Sequence, residues 1–178
     1  MTNRGVLFAS CVVFLPAPVL AQASSTSRPQ IDCTQLSVDT VTRTATFQLV
    51  GAQTQHAAGM NFNGFSDGKL TLTVPQNWNV VIQFTNRDDN LPHSAEVIDT
   101  VKPMPAGPVD PSFPRAMTTK LMNGLAPGES DTLRFVAGKS GSFLIFCAVP
   151  GHGIAGMWIR LRVSPTERLP TLTASSAR

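Results

Sequence analysis

Three residues whose side chains bind soft metals stand at equal intervals in "FCAVPGHGIAGMW", residues 146–158. They are Cys147, His152 and Met157, each five positions after the last. The chain of 178 residues has only 3 cysteines, 3 histidines and 6 methionines. For any one cysteine, the chance of a histidine at +5 and a methionine at +10 is roughly (3/178) × (6/178), about 6 in 10,000. Singly, each has a structural reading: a small buried hydrophobe, a turn residue and a core filler. Together, a thiolate, an imidazole and a thioether make a soft donor set that selects copper over zinc, magnesium or calcium. Zinc would take another cysteine, histidine or carboxylate in place of the thioether.

A copper site of this kind needs one more equatorial nitrogen, and two histidines remain. His56 lies in "AQTQHAAGM", a polar stretch with no β pattern around it. His93 lies in "NLPHSAEVI", where a core-facing strand turns into the next. The sequence therefore predicts one copper ion held by His93, Cys147 and His152 in a trigonal plane, with Met157 as a weak axial ligand. His56 is read as solvent-exposed.

The elements that must position these ligands are β throughout. Short alternating runs bounded by turn residues occur at 44–50, 69–74, 79–86, 94–98, 131–137, 142–147 and 157–163, and no long 3.6-residue period appears. They predict an all-β Greek-key sandwich or barrel of about seven to eight strands. The period of two sends Phe143, Ile145 and Cys147 inward, and likewise Met157, Ile159, Leu161 and Val163. Val80, Ile82 and Phe84 form a third inward row. Cys147 then closes one core-facing row, Met157 opens the next, and His152 rides the connecting turn.

The flanks read differently. Residues 1–21 have the form of an export signal: Arg4, the apolar run "VLFASCVVFL", then small residues ending at Ala21. That run is too short to span a bilayer. Residues 22–40 read as a flexible leader, 41–164 as the domain and 165–178 as a loose tail. Without its first 21 residues the chain keeps Cys33 and Cys147, and Cys33 fits no ligand pattern. "VKPMPAGPVDPSFPRAM" (101–117), with five prolines, reads as a stiff connector that could also shield the site. Charged residues are 14% of the chain and the net charge is only +3, with no basic cluster to follow a phosphate backbone, so nucleic acid binding has no support.

The ligand loop together with an upstream "LPH" resembles the cupredoxins. More narrowly, "NFNGFSDGKLTLTVPQNWNVVIQFTNRDDNLPH" resembles sulfocyanins and, more distantly, rusticyanins, over about Met60 to Val163. The resemblance implies the cupredoxin sandwich, a type 1 copper ion at His93, Cys147, His152 and Met157, and single-electron transfer rather than catalysis. Many cupredoxins carry Asn after the first histidine; here Ser94 stands in that place, as in rusticyanins, and can still donate a hydrogen bond. Multicopper oxidases flank the cysteine with histidines, where this chain has Phe146 and Ala148, and a binuclear loop needs a second cysteine where Gly151 stands. A copper carrier would use exposed Met or His clusters. An accessory module of a copper enzyme is the other alternative.

An exposed collar of Leu91, Pro92, Pro150 and Ile154 around His152 is expected to dock redox proteins, cytochromes or a haem–copper terminal oxidase among them. A monomer in the periplasm or another extracytoplasmic space, membrane-associated if residues 1–21 are retained, completes the expectation.

Overall fold

The structure, a computed structural model, describes residues 31–175. The export-signal reading of residues 1–21, Cys11 included, lies outside those residues, and so does the side chain of Cys33. Nine strands are present among the described residues. They are β1 (Leu36–Asp39), β2 (Thr44–Gly51), β3 (Leu70–Pro75), β4 (Asn79–Asn86), β5 (Glu96–Asp99), β6 (Ser130–Val136), β7 (Gly141–Phe146), β8 (Trp158–Ser164) and β9 (Thr171–Ala174).

They form two mixed sheets. One runs β1-β2-β4-β6 and the other β5-β7-β8-β3-β9. The pairs β2/β4 and β3/β8 are parallel and the rest antiparallel. Alternation makes the core: Ala45, Phe47 and Leu49 of β2 and Val80, Ile82 and Phe84 of β4 face Leu70, Leu72 and Val74 of β3 and Phe143, Ile145, Ile159, Leu161 and Val163 of β7 and β8, all buried in one cluster. Successive side chains of a strand leave on opposite faces, so each sheet contributes every second residue to that layer.

Two boundaries differ from expectation. Residues 22–40 are not leader to their end, because Leu36–Asp39 pairs with β2. The tail is not loose throughout, because Thr171–Ala174 pairs antiparallel with β3. Both segments are short and mostly exposed, so neither carries a strong apolar alternation. The ladder to a well-formed neighbour makes them strands.

The proline-rich segment does more than connect. On the outer face of β5 and β7, the buried side chains of Ile98, Leu144 and Phe146 form a second cluster with Ala148, and Met104 and Leu121 pack onto it. The segment is tied down along β5 by Ser112 N–H to Val97 O, Val97 N–H to Ala116 O and Thr118 N–H to Ala95 O. This explains why β7 is buried on both faces from Phe143 to Phe146.

Candidate metal centre

Cys147 and Met157 lie one residue beyond facing ends of β7 and β8. Phe146 pairs with Trp158 in the ladder, and one step further the Cys147 N–H donates to Met157 O at 3.0 Å. The parity that directs Ile145 and Ile159 inward therefore also directs these two. Between them the chain makes a tight loop, closed by Met157 N–H to His152 O (3.0 Å) and His152 N–H to Val149 O (3.1 Å). Gly153 permits it: a Cβ there would sit 2.8 Å from the Phe146 ring and 3.3 Å from Met104. Met157 is fully buried.

His93 arrives from the other sheet, on the loop after β4. Its backbone makes a two-way bridge with Leu125, at 3.1 Å and 2.7 Å. Gly124, at φ +68, lies so close that a Cβ would stand 2.8 Å from the His93 nitrogen. Asn86 braces the turn by donating to the carbonyls of Leu91 and Leu125, each at 2.9 Å.

The donor atoms of His93, Cys147 and His152 all lie within 4.8 Å of one another. His93 Nδ1 is 3.2 Å from His152 Nδ1, and the Cys147 sulfur is 3.9 Å and 3.5 Å from the two. Both histidines thus turn Nδ1 toward the sulfur. His93 and Cys147 are buried and His152 is half-buried. His56 stays outside the group: it is exposed, with Nε2 3.3 Å from Ser66 Oγ.

Ser94 serves the sulfur. Its N–H donates to Cys147 Sγ at 3.3 Å, and its Oγ accepts the Ala148 N–H at 3.1 Å. The serine thereby ties the two ligand loops together, as an asparagine would. Burial pushes the Cys147 thiol above its ordinary pKa, against the hydrogen bonds from Ser94. Burial also lowers His93 and His152, His152 further by its proximity to His93, against the opposing pull of Asp88; the lowering favours the neutral imidazoles that a metal binds. A desolvated thiol, two neutral imidazoles and a buried thioether together fit copper better than zinc.

One partner of the site was not foreseen. Asp88 Oδ2 lies 3.0 Å from His93 Nε2. The signal is faint: an acid five residues before the histidine in a polar turn, "NRDDN", that reads as solvated. Of the expected collar, Ile154 is 63% and Leu91 39% exposed, while Pro150 is exposed and Pro92 half-buried.

The sulfocyanin (SoxE) domain model matches residues 32–173. The chain belongs to the sulfocyanin family. The sulfocyanin of Sulfolobus acidocaldarius is 27% identical over 135 residues, which cover 72% of this chain and 67% of that protein. Among solved structures, the auracyanin of Roseiflexus castenholzii matches with a TM-score of 0.49 and 22% identity over 72% of this chain and all of that one. Rusticyanin from Thiobacillus ferrooxidans matches with a TM-score of 0.48 and 22% identity, over 73% of this chain and 86% of that one. The sulfocyanin domain model reaches to within β9, which agrees with the tail being part of the fold.

Proposed function

We propose that this sulfocyanin-family chain is an exported type 1 copper protein that passes single electrons between redox proteins. The observation that carries the reading is the convergence of His93 Nδ1, His152 Nδ1 and Cys147 Sγ, within 4.8 Å of one another, from two loops that Ser94 bonds together. His93, Cys147, His152 and Met157 would hold the metal. Copper held there would supply one-electron chemistry. The chain's part is to keep the ligands still while the charge changes. His93 hangs on one sheet's loop, Cys147 and Met157 on the ends of a ladder in the other, and the enclosed sulfur is shielded from water.

Half-buried His152 is the expected electron exit, with exposed Leu91, Pro150 and Ile154 and half-buried Pro92 as the docking collar. Cytochromes or a haem–copper terminal oxidase are the expected class of partner, and the export-type sequence of residues 1–21 supports an extracytoplasmic, periplasmic location. Addition of Cu(II) to purified protein should give an intense thiolate-to-copper band in the visible that is absent in Cys147→Ser. A colourless, weakly binding wild type would overturn the reading.

A further inference from the structure

The two histidines of the centre are held in opposite ways. His152 is half-exposed, and among the described residues its contacts run through Nδ1 to His93 and Cys147. His93 is enclosed at 0% exposure, and its outward nitrogen meets a carboxylate, with Nε2 3.0 Å from Asp88 Oδ2. That carboxylate is built in. Its other oxygen accepts the N–H groups of Asn90 and Leu91, each at 2.9 Å. The Asp88 N–H donates to Asn86 Oδ1 at 2.9 Å, and Asn86 in turn holds Leu125, the backbone partner of His93. Gly59, at φ +83, closes over the site, where a Cβ would stand 2.9 Å from Asp88 Oδ2.

We propose that Asp88 is a positioning residue of the electron-transfer centre: it fixes His93 in the Nε2–H tautomer, so that Nδ1 faces the cluster as a lone pair, and its charge sets the reduction potential of the copper lower than a neutral partner would. The inference rests on the proposed function for the potential, while the tautomer is a property of the metal-free chain. A carboxylate can only accept, so it requires the proton on Nε2. A carboxylate behind a ligand imidazole also makes it a stronger donor, and a nearby negative charge favours the more positive metal ion, Cu(II) over Cu(I). Changes at such partners alter metal affinity by about 10- to 100-fold. If that change falls on Cu(II) alone, each tenfold corresponds to about 59 mV for one electron.

The test uses the full chain and three variants. Asp88→Asn keeps an acceptor but removes the charge, Asp88→Ala removes both, and Asp89→Asn removes the same charge from the exposed neighbour. Potentiometry should show Asp88→Asn at least about 59 mV above wild type with its visible band retained, and Asp89→Asn unmoved. Imidazole nitrogen shifts of the metal-free wild type should show Nε2–H on His93, with both tautomers populated in Asp88→Ala. Equal potentials for Asp88→Asn and Asp89→Asn would overturn the electrostatic role. Nδ1–H on His93 in the metal-free wild type would overturn the positioning role, and that measurement needs no variant to fold. A wild type that binds no copper removes the function on which the potential rests but leaves the tautomer readable.

Discussion

Glu96 shows how much a single side chain can conceal. It is enclosed under the proline-rich segment, its Oε2 accepts the Val109 N–H at 3.4 Å, and its Oε1 has no partner among the described residues. Burial pushes its pKa from 4.5 up to about 7, against the Val109 hydrogen bond and with help from the charge of Asp110. The native state therefore holds a proton that the unfolded chain has released between pH 4.5 and about 7. Stability from this group is full below 4.5 and declines as pH rises toward 7, by at most about 3 kcal/mol. Urea unfolding at pH 4.5 and 7.5 should show this decline in wild type and a flatter profile in Glu96→Gln. An unchanged slope would count against it. Cys147, His152 and Met157 were legible in the sequence because their donor types are scarce and their spacing is regular, and His93 because it stands where a core-facing strand turns into the next. Asp88 and Glu96 were not, because an acid in a turn or at the start of a strand reads as solvated until folding encloses it.

Strands were legible where burial alternates along them. β2 and β4 run buried at every second position, and β8 does so from Ile159 to Val163. β1 and β9 have no buried residue, so only pairing reveals them. β9 nevertheless contributes four paired positions against β3, and Leu172 packs against the core. Removing residues 170–178 should lower the unfolding free energy by about 1–3 kcal/mol, from lost ladder bonds and partial exposure of Leu172 less the ordering of the strand. Denaturant melts of the shortened chain would check this, and an unchanged midpoint would mean that β9 is an ornament of the sheet. The outer cover of β7 was equally hidden. A five-proline stretch signals stiffness, whereas its seating on Leu144 and Phe146 is a tertiary fact.

At the scale of the molecule, the parallel pairings β2/β4 and β3/β8 join segments distant in sequence, and no local pattern encodes them. The loop after β4 meets the loop between β7 and β8 across the two sheets, through the bonds of Ser94 with Cys147 and Ala148. The exposed face beside that meeting point carries Ile154, 63% accessible, and Leu91. If partners dock there, Ile154→Asp should slow electron exchange with a cytochrome by about tenfold, since a charge buried at an apolar contact is costly. The visible spectrum should stay as in wild type, because Ile154 is no ligand. Stopped-flow mixing checks both, and equal rates would locate docking elsewhere.

The two sheets have four outer strands, and the chain treats them unequally. β1 and β9, its first and last strands, are only four residues long. β5 is overlaid by the proline-rich segment through backbone bonds. That leaves β6, seven residues from Ser130 to Val136, as the longest border; there Thr119 donates its N–H and hydroxyl to Asp131, and Arg134 is exposed. A second copy adding a strand there would have to displace Thr119 from Asp131 and strip water from Arg134. The distribution of short, covered and charged borders works against self-templated fibre growth.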